Sequence, residues 1–119
     1  DDTRPKVFLN DYMKDVMKVK TFRLDTLVNL VGADLQKYNL LFLDVQGGEH
    51  LVLEGAPTVL KYMDYVAMEL CTVSIYSESW LYDEYTEVMG NFGFKEIAKE
   101  TAYITPEGDI YTYNVLYGR

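Results

Sequence analysis

A chain of 119 residues, 49% of them hydrophobic, is long enough for one packed core and too short for two, so residues 1–119 are expected to form a single domain. Nineteen Asp and Glu against eleven Lys and Arg give a net charge of -8, which repels phosphate backbones and anionic lipids and argues against a nucleic-acid partner. No apolar stretch approaches the roughly 20 residues of a membrane span and the first residues lack the pattern of a signal peptide, so no membrane contact and a cytoplasmic address are expected.

The opening residues carry Phe8, Leu9, Tyr12, Met13, Val16 and Met17, the spacing of one face of a helix that begins near Asn10 or Asp11 and runs through Lys18. Residues 19–24 alternate apolar and polar like a half-buried strand. Asp25 or Thr26 is suited to cap a short helix through Leu30 or Val31, with Gly32 at its left-handed end. Residues 40–43 are a continuous apolar run that stops at Asp44, followed by Gly47 and Gly48; such a run fits a parallel strand buried on both faces. A helical turn at residues 49–53 is expected to pack Leu51, Val52 and Leu53 inward, and Pro57 opens a further helix to about Met63.

Residues 65–70 form a second apolar strand, which also reaches an acid, Glu69, near its carboxyl end. A polar and aromatic loop follows, then a helix from about Ser79 to Asn91. Residues 94–100 and 110–117 alternate like the two strands of a hairpin around Thr105-Pro106-Glu107-Gly108-Asp109. Alternating strands and helices closed by an antiparallel return predict an α/β fold with a mostly parallel sheet and one reversed strand.

In sheets of this kind ligands sit beyond the carboxyl ends of the strands, which puts Asp44 and Glu69 on one rim. Asp44 is suited to take a proton or hold a divalent cation, and equally to cap the next helix through the amides near Gly48 and Glu49. Gly47 and Gly48 let the backbone turn sharply, and their amides suit an anion. Glu49, in a first helical turn, reads as a capping group. The loop residues Tyr76 and Trp80 suit stacking on a flat substrate, or, for Trp80, anchoring its own helix. Cys71 is the sole cysteine and His50 the sole histidine, so no disulfide, no zinc site and no histidine-based nucleophile system is expected, with His50 pointing to solvent. A weak Mg²⁺ or Ca²⁺ site from Asp44 and Glu69 needs only oxygen ligands.

VKTFRLD at residues 19–25, LLFLDVQGGEHLVLEGA at 40–56, Met68-Glu69, Gly93-Phe94 and Asn114-Val115-Leu116-Tyr117 resemble the carboxyl half of FkbM-type methyltransferases. The family more often has Glu at the place of Gln46 and Ala at that of Gly48. The resemblance implies a partial Rossmann-like sheet in which residues 40–45, 65–70 and 94–100 are the fourth to sixth strands and 110–117 the reversed seventh, in the order 4-5-7-6. It also implies S-adenosylmethionine as cofactor, faced by Gln46, Gly47 and Gly48, and O-methylation of a small metabolite or saccharide with Asp44 and Glu69 catalytic and Tyr76 and Trp80 on the substrate. No GxGxG turn occurs in the sequence, so the chain reads as the distal portion of a longer enzyme or a shortened relative. A half-sheet exposes the flank of the Asp44 strand, which predicts a homo-oligomer through that edge. The alternative is a non-catalytic α/β module that self-associates.

Overall fold

The computed structural model describes residues 15, 17–75 and 78–119. In chain order these form α1 (Leu24–Leu30), a 3-10 turn (Leu35–Lys37), β1 (Leu40–Leu43), α2 (Glu49–Glu54), α3 (Pro57–Tyr62), β2 (Tyr65–Cys71), α4 (Tyr82–Asn91), β3 (Lys95–Ile104) and β4 (Ile110–Gly118). The amphipathic stretch from about Asn10 falls for the most part outside the described residues.

The four strands make one mixed sheet in the order β1-β2-β4-β3. β1 and β2 are parallel, with Leu40 opposite Tyr65 and Leu43 opposite Met68. β4 runs antiparallel to both β2 and β3, so it is the one reversed strand and lies inside the sheet although it closes the chain. The turn before it forms as its Pro and Gly require: Gly108 takes a φ of +93°, and Thr105 accepts from the amides of Gly108 and Asp109 while donating its own to the Asp109 carbonyl.

The core lies on one face of the sheet. Leu43, Val66, Met68, Leu70, Val115 and Tyr117 are buried there, in register with one another across β1, β2 and β4. Leu53, Val59, Leu60, Tyr85 and Met89 from α2, α3 and α4 complete the cluster. Among the described residues, none covers the opposite face. Phe42 is 69% exposed and Leu40 47%, so β1 is buried on one face only, where its continuous apolar run predicts two. Pattern alone reports that a face is apolar, not that anything covers it.

Three further expectations are corrected. Residues 19–24 form no strand: Asp25 donates its amide to the Gly55 carbonyl at 2.8 Å, Arg23 donates to the Glu54 carbonyl, and the segment leads into α1 with no ladder beside it. Leu51 is 62% exposed rather than packed inward. α4 begins at Tyr82, three residues after Ser79, because the Glu84 carboxylate reaches back to the Leu81 amide at 2.6 Å and fixes the start there. Gly32, with φ +67°, ends α1 as expected.

Candidate functional site

The parallel pairing of β1 and β2 decides the position of the two acids. Leu43 lies opposite Met68, so one residue further on Asp44 and Glu69 emerge at the same end of the sheet. Both line an open trough of about 620 Å³ on the uncovered face and a niche of about 70 Å³ at the rim. The floor of the trough is one row of the sheet, Phe42, Ala67, Leu116 and Ala98; the two alanines leave it concave. The next row is polar: Glu69 faces Asn114, which faces Glu100, and Asn114 Nδ2 donates to Glu100 Oε1 at 3.3 Å. Asn114 and Glu100 were not singled out from the sequence as site residues. Only the register between distant strands brings them beside Glu69.

The turn after β1 is organised by Glu49. Gln46 and Gly47 both take the left-handed conformation, with φ 52° and 97°. This curls the amides of Val45 and Gly47 onto the Glu49 carboxylate, at 3.1 Å to Oε1 and 2.9 Å to Oε2. Gly48 donates to the Val45 carbonyl. The amides expected to meet an anion are therefore engaged within the turn, and the acid that closes it is Glu49, not Asp44. Asp44 Oδ1 instead accepts from Gln46 Nε2 at 2.7 Å and stays exposed.

Asp44, Gln46, Gly47, Glu49 and Glu69 all meet at the niche, with Cys71 and Thr112 as neighbouring wall residues. Thr112, paired with Cys71 across β2 and β4, is 6% exposed, and its Oγ1 is buried with no hydrogen-bond partner among the described residues. Burial first, then the charges of Glu49 and Glu69, push the Cys71 thiol up to about 11, so it stays protonated at neutral pH. Sequence reasoning missed Thr112, since a lone threonine in an alternating strand carries no motif.

A protein-family model described as the methyltransferase FkbM domain matches residues 6–96. The chain belongs to the FkbM methyltransferase domain family. No curated protein and no solved structure matches it. The match ends within β3, so β4, which sits between β2 and β3, lies beyond it.

In this FkbM domain the remaining candidates among the described residues, Trp80 and Gly48, do not line the niche. Tyr76 falls outside the described residues. Trp80 packs against the core, 5.4 Å from both the His50 and Tyr85 rings, and lines neither the trough nor the niche. His50 is buried rather than pointed to solvent. Its amide donates to the Tyr85 hydroxyl at 2.9 Å, and its Nδ1 has no partner among the described residues. Burial pushes the Tyr85 phenol well up, so it remains a neutral anchor. Gly48 caps α2. Among the described residues no group of three or more His, Cys, Asp or Glu is placed to hold a metal ion, and no helix is long and apolar enough to cross a membrane.

Proposed function

We propose that this chain is the cofactor-distal half of an S-adenosylmethionine-dependent O-methyltransferase, with Asp44 as the base toward a hydroxyl of a small metabolite or saccharide. The observation that carries the reading is the shared rim: Asp44 follows β1, Glu69 lies two residues before the end of its parallel neighbour β2, and both line the same two cavities. A group placed there finds one carboxylate exposed and oriented by Gln46, within reach of a proton that must leave as the oxygen acquires its methyl group. Glu69 holds the acceptor from the adjacent strand. The sheet order β1-β2-β4-β3 with β4 reversed is consistent with strands four, five, seven and six of a methyltransferase sheet.

Family membership implies the cofactor, but the residues expected to face it do not make its cradle. The Gly47 amide is held by Glu49, the Gly48 amide by Val45, and the sequence has no GxGxG turn. On this reading the cofactor's side of the site comes from outside these residues, and a cytoplasmic setting suits it. Calorimetric titration of S-adenosylmethionine into the chain, alone and within any longer natural form, tests it: micromolar binding and methyl transfer in the longer form, both with a hydroxyl acceptor, are expected. Asp44→Asn there lowers kcat by at least 100-fold; unchanged turnover removes Asp44 from the role.

A second reading is favoured by a face and a β1 edge that no described residue covers or pairs, where Leu40 and Phe42 are exposed: a non-catalytic module that forms a homo-oligomer through that edge. Absence of cofactor binding in every form of the protein, together with self-association, selects it.

A further inference from the structure

We infer that Tyr82 and Tyr113, backed by Glu96, form a binding site for a quaternary ammonium cation, a place that the chain's own Lys99 fills. The site lies on the helix-covered face of the sheet, where Lys99 pairs with the buried Val115, and goes beyond the functional reading above. Lys99 Nζ sits 4.8 Å from the centroid of the Tyr82 ring and 4.5 Å from that of Tyr113. The two rings are 5.4 Å apart and inclined at 55°, so one cation is shared by two π-systems, as in an aromatic cage.

The walls are fixed and the occupant is not. Tyr82 opens α4, Tyr113 lies in β4 between two other strands, and both rings pack against the core. The Tyr82 hydroxyl donates to Glu96 Oε1 at 2.5 Å, which holds that ring and brings a carboxylate to the mouth of the cage. Lys99 belongs instead to β3, an edge strand exposed along its whole length, and reaches the rings through a flexible four-carbon stem. A ligand that takes its place displaces a side chain and not a piece of the fold. Walls built in advance leave little ordering for the ligand to drive.

The chemistry of the walls selects the kind of cation. A primary ammonium is a compact, strongly hydrated charge with three donors to satisfy. Here its hydrogen bond to the Tyr82 hydroxyl is 3.4 Å long, beyond the usual range of about 2.7–3.2 Å, so ring faces hold it more than hydrogen bonds do. A quaternary ammonium has no N–H to satisfy and is recognised by ring faces. It therefore gains more from this cage than Lys99 does.

The experiment is an NMR titration of the whole chain with choline and, in parallel, with the neutral alcohol in which carbon replaces the choline nitrogen, at matched ionic strength. The expected result is choline binding about tenfold tighter than the alcohol, with shifts at the Tyr82 and Tyr113 rings. Lys99→Ala removes the internal competitor and tightens choline about threefold, the worth of an exposed cation–π contact. Tyr82→Leu removes one wall and abolishes the preference for choline. Equal binding of the two probes, no choline binding by wild type or Lys99→Ala, or a Lys99→Ala chain that binds choline no tighter than wild type overturns the inference. So does a folded Tyr82→Leu chain that still prefers choline. Should Tyr82→Leu unfold, the comparison of the two probes on Lys99→Ala decides.

Discussion

Thr112 and Glu49 share one niche wall with opposite energetic consequences. The Thr112 hydroxyl is buried and has no partner among the described residues, so Thr112→Val, which keeps the shape and removes the oxygen, is expected to stabilise the chain by about 1 kcal/mol, read from urea unfolding. Glu49 is 3% exposed and accepts the Val45 and Gly47 amides. Glu49→Ala strands both donors in a turn that already holds Gln46 at φ 52°, and is expected to cost about 2–3 kcal/mol in the same measurement. Glu49 thus builds the turn, whereas the Thr112 hydroxyl adds nothing to it. The two rim acids were legible in the sequence because each follows an apolar run toward a strand's carboxyl end. Glu49 was legible as a capping group. Thr112 was not, since its place depends on pairing with Cys71 across 41 positions of chain.

At the scale of elements, α3 is held at both ends by charges that suit its dipole. The Asp25 carboxylate accepts from the amides of Thr58 at 2.9 Å and Val59 at 3.0 Å. The Arg119 guanidinium donates to the carbonyls of Leu60 at 2.8 Å and Met63 at 3.0 Å, and lies over the Phe94 ring. Asp25 is thus a cap, as its residue type predicts, but of a helix 33 positions away and not of its own. Local pattern shows that a residue wants backbone amides; only the tertiary fold says whose. Asp25→Ala is expected to cost about 1 kcal/mol, the ordinary worth of a helix cap. Slight burial raises the Asp25 carboxyl, but the amides of Thr58 and Val59, with Arg23 nearby, outweigh it and hold the group below its ordinary 3.8. A folded pKa below the unfolded one adds stability that is fully present above about pH 4 and is lost as pH falls through the folded value. The stability gap between wild type and Asp25→Asn is therefore expected to be constant from about pH 5 to 7 and to shrink below about pH 4, followed by unfolding at fixed ionic strength.

For the whole molecule, the decisive feature is a sheet covered on one face, with two edges that differ in kind. The β3 edge carries Lys95, Glu96, Lys99 and Glu100 and shifts register after Glu96 and again after Thr101, devices that discourage pairing with another chain. β1, Leu40–Leu43, has no charge, no proline and no bulge. The alternation of elements and the reversed last strand were legible in the sequence because strand and helix periods differ. The bare face was not, because apolar runs read the same covered or uncovered. An unprotected edge beside an exposed Phe42 is a template for a second strand, and a net charge of -8 opposes association everywhere except at such a neutral patch. Sedimentation velocity over about 1–50 µM is therefore expected to show reversible, concentration-dependent dimerisation that strengthens with salt, as like charges are screened. Phe42→Lys places a charge on the open face at a position 69% exposed, so it is expected to leave the melting temperature of the fold nearly unchanged and shift the chain to monomer. Lys99→Ala, on the opposite edge, is expected to leave the equilibrium where it was. A wild-type chain that stays monomeric across that range, or a Phe42→Lys chain that dimerises as well as wild type, removes β1 as the contact.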